Sequence, residues 1–264
     1  MSAELLINVT PSETRVALIE NGSLQEVHIE RQAKRGIVGN IYLGKVIRVL
    51  PGMQAAFIDI NLDKAAFLHA SDIKSKLILK DDNEQIADIR SLVHEGQLIV
   101  VQVVKDPLGT KGARLTTDIT VASRHLVLMP NSQHAGISLR IEDSKERERL
   151  KHIVSPYCDE NQGFIVRTAG EGAGELELQH DAEFLRRVWQ KVLVRKQRKQ
   201  TKLPLYQDLS LSSRILRDAV GIAIERIRVD SKLTFDELTS FTKEFVPELT
   251  PLLEYYPGER PIFD

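Results

Sequence analysis

A chain of 264 residues is long enough to bury more than one compact core. With 42% hydrophobic and 28% charged residues, its composition is that of a globular protein and not of a disordered one. The formal charge of −1 excludes a globally basic nucleic-acid binder, so any basic surface must be local and offset by acidic surface elsewhere. The single cysteine, Cys158, can form no intramolecular disulfide and suits a reducing compartment. The N-terminus lacks the basic start and apolar run of a signal peptide, and no stretch approaches the about 18 uncharged apolar residues of a membrane helix. A soluble, cytoplasmic protein without membrane association is the expectation.

In chain order, residues 5–9, 15–19 and 24–29 have strand composition, and Glu20-Asn21-Gly22-Ser23 is a hairpin turn between the second and third. The basic, glycine-containing segment 31–36 reads as a linker. Further strands are expected at 41–50, 54–60, 65–69, 97–105 and 113–118, punctuated by Pro51-Gly52, Asn61-Leu62-Asp63 and Asp106-Pro107-Leu108-Gly109. So many short strands in about 80 residues suggest a small closed barrel. The polar stretch 74–90 reads as a surface loop within it.

From residue 123 the pattern becomes mixed. Strands are expected at 126–129, 136–141 and 163–168, around a helix at 144–157. Asp143 followed by Glu146 has the spacing of a capping box, and Pro156 should end or kink the last turn. After Gly174, Leu178, Ala182, Leu185, Trp189 and Val192 recur at steps of four and three, the apolar stripe of an amphipathic helix. Its C-terminal end is strongly basic. A helix at 212–220, a strand at 223–229 and a helix at 235–245 follow, and the last residues carry the apolar pair Ile262-Phe263.

Three groups of residues could carry chemistry. The barrel region holds Tyr42, Phe57 and Phe67 among Lys45, Arg48, Lys64, Lys105, Lys111 and Arg114. Aromatic rings that stack on bases and cations that follow the backbone are how single-stranded RNA is held. Core filling by Phe57 and Phe67 explains the same pattern, and on spacing alone it is the favoured reading. The second group is Arg167-Thr168 running into Ala169-Gly170-Glu171-Gly172-Ala173-Gly174. A guanidinium fork, a hydroxyl and glycine amides could bind a phosphate, while a surface arginine before a flexible loop fits equally well. Arg167 and Thr168 can share one phosphate only where the strand bends, because successive strand residues face opposite ways. The third group is the basic helix end, which either attracts RNA phosphates or is a solvated face. No zinc-binding spacing, magnesium motif or nucleophile elbow is present, so no catalytic or metal-binding residue is expected.

The runs Gly36-Ile37-Val38-Gly39-Asn40-Ile41-Tyr42, Val49 through Asp59 and Lys105 through Thr117 resemble the ribonuclease E/G family. The likeness continues through 164–170, 226–231 and 261–264. It implies an α+β multidomain fold: a split RNase H-like subdomain (residues 1–35 and 212–264), an inserted S-one-type OB-fold RNA-binding domain (36–118) and an inserted 5′-sensor domain (119–211). It also implies that Phe57, Phe67 and Lys111 bind single-stranded RNA. Arg167 and Thr168, with Val127 and Ser123, would hold a 5′-monophosphate, although part of the family has glycine where Ser123 stands. The family's magnesium-binding aspartates and its zinc-link between protomers match nothing here. The resemblance therefore implies a chain ending before the hydrolytic domain, monomeric as it stands, with magnesium, zinc and homo-oligomerisation belonging to the full-length protein. That protein would be an endoribonuclease of ribosomal-RNA 5′-end maturation and RNA decay. The alternative is a stand-alone, non-catalytic protein that occupies RNA 5′ ends.

Overall fold

The first hairpin shows how local chemistry sets register. β1 (Ala3–Val9) and β2 (Glu13–Glu20) pair antiparallel, and β2 turns into β3 (Ser23–Arg31) through Asn21 and Gly22. Both turn residues have positive φ, at 50° and 76°, which an Asn-Gly pair accommodates and a branched residue would not. The computed structural model describes residues 3–74, 88–130, 132–160, 162–199, 201–219, 223–258 and 260–263. Most of the expected loop at 74–90 lies outside the described residues.

The chain divides into two compact units, Met1–Arg35 with Leu209–Asp264, and Gly36–Asp208. In the first, β1 also pairs in parallel with a strand more than two hundred residues later. Numbered in chain order, the late elements of this unit are α4 (Leu211–Asp218), β13 (Ile224–Val229), α5 (Lys232–Phe245) and β14 (Leu253–Tyr255). The sheet order is β14-β13-β1-β2-β3, with β13 and β14 parallel to β1. Leu5, Ile7, Val16, Ile227 and Val229 are buried, and α4 and α5 contact β2 and β13. Leu6 and Ala17 form a second cluster with Ile262. Asp230 joins the strand ends by accepting from Asn8 Nδ2 at 2.5 Å and from the Val9 amide at 2.9 Å.

The second unit begins with a closed barrel. β4 (Ile41–Leu50), β5 (Ala55–Asp59), β6 (Ala66–His69), β7 (Leu98–Lys105) and β8 (Arg114–Thr116) close in the order β4-β5-β6-β8-β7. The short helix α1 (Ile89–Leu92), not expected from sequence, adds Ile89 to the interior. Val46, Ile58, Leu68, Val101, Val103 and Leu115 are fully buried, the inward half of a two-residue alternation. Tyr42 belongs to this core too, its hydroxyl accepting from Asn40 Nδ2 at 3.3 Å, so it is not available for stacking. This is a mixed α/β protein containing a five-stranded barrel consistent with an OB-like fold.

Gln102, buried on β7, donates to the Gly39 and Thr120 carbonyls and accepts from the Thr120 amide, fastening the barrel to the sheet that comes after it in the chain. In that sheet β9 (Val121–Ala122), β10 (Leu126–Pro130), β11 (Ala135–Ile137) and β12 (Gln162–Val166) stand in the order β11-β12-β10-β9. α2 (Ser144–Val154) and α3 (Glu175–Gln197) pack on it. Leu126, Leu128, Phe164 and Val166 are buried, as are Leu178, Ala182, Leu185, Trp189 and Val192 of the α3 stripe.

Several expectations need correction. β11 ends at Ile137, because the chain turns there and Arg147 Nη1 grips the Ser138 and Ile141 carbonyls. Asp143 caps α2 by accepting from the Lys145 amide, but Glu146 does not return to Asp143. Its carboxylate is taken instead by Arg149 and the Gly172 amide, so the capping box is only half made. Pro156 sits in a 3-10 turn, Ser155–Tyr157, that ends the helix.

Gly112, just before β8, tests the barrel's closure. A Cβ there would lie 1.9 Å from the Ala65 carbonyl oxygen beside β6. Gly112→Ala is expected to destabilise this unit by about 1–3 kcal/mol, the usual cost of overpacking. A chemical-denaturation midpoint unchanged from wild type would contradict the β6–β8 approach.

Candidate nucleic-acid interface

The outward half of the barrel's alternation carries its chemistry. On β5 and β6, buried Ala56, Ile58, Ala66 and Leu68 alternate with half-buried Phe57 and Phe67. Phe57 and Phe67 are direct cross-strand partners, with ring centroids 6.2 Å apart in an edge-on arrangement. His69 continues the surface, its ring 6.4 Å from Phe67. The structure thus separates two roles that spacing left open: aliphatic residues fill the core, and the two phenylalanines flank it on the outer face.

Cross-strand register extends the pair into a row. Phe57 faces Arg48 on β4, Phe67 faces Arg114 on β8, and Arg114 faces Lys105 on β7. Two irregularities make this possible. The pairing shifts between Val46 and Arg48, and again between Val103 and Lys105. Val46 and Val103 point inward, so an unbroken two-residue alternation would turn Arg48 and Lys105 inward as well. Each bulge re-aims one cation to the outer surface. The result is a basic–aromatic–aromatic–basic–basic row across five strands. Arg114 is also paired with Asp72 through Nε at 2.9 Å and Nη2 at 3.1 Å, and this partner raises its pKa.

Lys111 is exposed on the tight turn that precedes β8. Leu108 and Lys111 exchange both backbone hydrogen bonds around Gly109 and Thr110. The turn is braced by the Ile37 amide donating to Asp106 at 2.7 Å, and by Lys64 Nζ donating to the Gly109 carbonyl. Of the sequence-derived residues, Phe57 and Phe67 are brought into contact, with Lys111 on the adjoining β7–β8 turn. His69 was not anticipated; its signal is the Phe-x-His step that puts both rings on one strand face.

The second group lies where β12 ends. Arg167 is exposed, and its Nη1 donates to the Ser123 carbonyl at 2.5 Å and to the Arg124 carbonyl at 3.3 Å; its own amide donates to the His125 carbonyl at 2.7 Å. A 3-10 turn, Thr168–Gly170, starts at the next residue, which supplies the bend that the pair requires. Thr168 Oγ1 lies 3.2 Å from Ser138 Oγ. Val127 is half-buried on β10, opposite Ile165 of β12. Arg167, Thr168 and Ser138 therefore stand together.

Two expectations fail here. Ser123 is fully buried: its hydroxyl donates to Asp181 at 2.7 Å and its amide to the Leu126 carbonyl. It cannot offer either group to a phosphate; its carbonyl orients Arg167 instead. Nor is the glycine loop an open anion cradle. The Gly170, Glu171 and Ala173 amides donate to carbonyls within the loop, Gly172 donates to Glu146 and Gly174 to Glu177. Between 167 and 174, the amides left without a protein partner among the described residues are those of Thr168 and Ala169.

Asp181 is the residue that pattern reading missed. It is 8% exposed on α3 and accepts from the Ser123 hydroxyl, the His125 amide at 2.5 Å and the Leu126 amide at 3.2 Å. The turn that it organises is the one whose carbonyls hold Arg167. The available signal was a carboxylate three residues after Leu178 on an otherwise apolar stripe, where burial demands hydrogen-bond partners.

Asp181→Ala removes the one oxygen on which the three donors converge, and is expected to cost about 1–3 kcal/mol. Urea denaturation tests it, and an unchanged midpoint would show the carboxylate to be dispensable. Glu146 offers a pH test. The Arg149 guanidinium, and then the Gly172 amide, lower its pKa from 4.5 to about 2. A depressed carboxyl pKa stabilises fully above about 4.5 and stops doing so as pH falls towards 2. Protection of the Gly172 amide from exchange, taken relative to its intrinsic rate at each pH, should fall across that window and, in Glu146→Gln, lose this dependence. Protection that does not change with pH in the wild type would refute the tether.

Residues 120–264 match the Ribonuclease E/G family. The whole chain is 62% identical to Ribonuclease G of Escherichia coli K12 and covers 55% of that protein. It is also 62% identical to Ribonuclease G of Haemophilus influenzae, covering 54% of it. Against Ribonuclease E of Haemophilus influenzae it is 35% identical over 98% of this chain and 28% of the relative. The chain spans about half the length of the ribonuclease G relatives it matches. Together, the family match over more than half of its residues and this barrel-bearing fold place the chain in the ribonuclease E/G family.

Proposed function

We propose that this chain is the RNA-gripping and 5′-end-sensing part of a ribonuclease that acts on single-stranded RNA. The row Arg48–Phe57–Phe67–Arg114–Lys105 carries the reading. Bases stack on the two phenylalanines, and the flanking cations with Lys111 neutralise phosphates. Stacking of this kind is tolerant of sequence, because every base has a face to stack.

In the same reading, Arg167 and Thr168 receive a 5′-monophosphate. Arg167 Nη1 is held by carbonyls, which leaves the rest of the guanidinium for phosphate oxygens, beside the Thr168 hydroxyl and the amides of Thr168 and Ala169. Val127 supports the pocket from β10. The sheet order β14-β13-β1-β2-β3 supports an RNase H-like assignment for the first unit. Cleavage, with its magnesium, and zinc-linked homo-oligomerisation belong in this reading to the full-length protein. Among the described residues no group of three or more His, Cys, Asp or Glu side chains stands together as a metal site. Ribosomal-RNA 5′-end maturation and RNA decay are the proposed processes, and the cytoplasm the proposed location. No helix among the described residues is long and apolar enough to cross a membrane.

The test is binding of the chain to one short single-stranded RNA carrying either a 5′-monophosphate or a 5′-hydroxyl. The wild type should bind the monophosphate more tightly, and Arg167→Ala should remove that difference while leaving the hydroxyl RNA unaffected. Equal losses on both RNAs would make Arg167 a general contact. Phe57→Ala should weaken both alike, by about 1–3 kcal/mol for the lost stack. Undiminished affinity in a folded Phe57→Ala protein would remove the barrel face as the binding surface.

A further inference from the structure

The basic end of α3 is not used by either proposed site. Between Trp189 and Asp208 the chain carries Lys191, Arg195, Lys196, Arg198, Lys199 and Lys202 and no carboxylate, in a protein whose net charge is −1. Part of this has a structural reason. Arg195 donates to the Leu205 carbonyl at 2.8 Å, and cations in a helix's last turn meet its carbonyl end favourably. That reason does not reach Arg198, Lys199 and Lys202, which are exposed and, like Lys196, have no ion-pair partner among the described residues. Elsewhere the surface arginines Arg90, Arg114, Arg149 and Arg214 are each matched to a carboxylate.

One loop places these cations beside the barrel's RNA surface. Between β5 and β6, Asn61 Nδ2 donates to the Lys202 carbonyl at 3.0 Å, and Lys64 Nζ donates to the Gly109 carbonyl of the turn that bears Lys111. Lys202 and Lys111 thus sit against the two ends of a single short loop. The loop's own carboxylates, Asp59 and Asp63, are fewer than the cations around it, and Asp59 is occupied with the Asn61 amide. We propose that Lys196, Arg198, Lys199 and Lys202 form a second contact for the phosphates of single-stranded RNA, continuing the strand held at Phe57, Phe67 and Lys111. The proposal rests on the RNA-gripping reading of the barrel and lengthens that site.

Lys199 makes a clean test possible. It ends the helix with φ 52°, the left-handed conformation that glycine adopts more easily, so Lys199→Gly removes a charge without straining the fold. The variant Lys196→Gln/Lys199→Gly/Lys202→Gln is compared with wild type, by fluorescence anisotropy against salt, on 5′-hydroxyl oligouridylates of about 6 and about 20 nucleotides, lengths chosen around one OB-fold site. On the longer RNA, the slope of log affinity against log salt should become shallower by about 2, at about 0.7 per single-strand phosphate contact. On the shorter RNA it should not change. Identical slopes on the long RNA would overturn the extension alone, with short-RNA binding intact. Equal losses on both lengths would also overturn it, since the lysines would then act on the barrel site itself. A wild-type chain that binds neither RNA overturns the barrel reading and this inference with it.

Discussion

A sheet closed on itself gives every strand one inward and one outward face, and a small barrel leaves no choice about what fills the inside. Here the interior is aliphatic, and its volume is taken by Ile58, Leu68, Val101, Leu115 and their neighbours. Everything the barrel offers to a ligand must therefore come from the alternate positions. Strict alternation would waste two cations, because Arg48 follows Val46 and Lys105 follows Val103 at two-residue steps into the core. A charged side chain there would face a large desolvation cost, and the bulges relieve it by turning the strand once. The same local irregularity protects the core and completes the outer row.

The Arg167 turn uses a different device. A flexible arginine loses conformational freedom when it binds a phosphate, and in the proposed reading part of that loss is met beforehand by fixing the guanidinium on the Ser123 and Arg124 carbonyls. Those carbonyls are aimed by a turn whose donors converge on Asp181, on the helix behind the sheet. In the glycine loop the amides from Gly170 to Gly174 are taken by its own carbonyls and by Glu146 and Glu177. The proposed pocket is therefore built on one fixed guanidinium, one hydroxyl and the two amides of Thr168 and Ala169.

Near-neutral net charge is compatible with the proposed RNA binding because the charges are segregated. Acidic residues neutralise arginines at Asp72, Asp88, Glu146 and Glu30, while Lys196, Arg198, Lys199 and Lys202 at the end of α3 have no ion-pair partner among the described residues. Unpaired cations at close spacing repel one another, and a polyanion laid across them removes that repulsion as it releases its own counterions.

By itself the sequence determined the elements whose period is short. Alternation, with Asn-Gly punctuation in the first hairpin and Pro-Gly punctuation in the barrel, located those strands to within a few residues, and the four-and-three stripe located α3, because burial on one face writes itself into local spacing. The two-residue β9 and three-residue β14 were too short to show a period. Tertiary structure alone decided which partners met. The pairing of β1 with β13, the bulges that turn Arg48 and Lys105 outward, and the cross-strand seat of Phe57 on Phe67 depend on register between distant segments. Glu146 had the spacing to cap its own helix and was captured by Gly172; Ser123 stood at the pocket's edge in sequence and turned inward to Asp181. A hydrogen-bonding side chain goes to the strongest accessible partner in three dimensions, and its neighbours in the chain do not say which one that is.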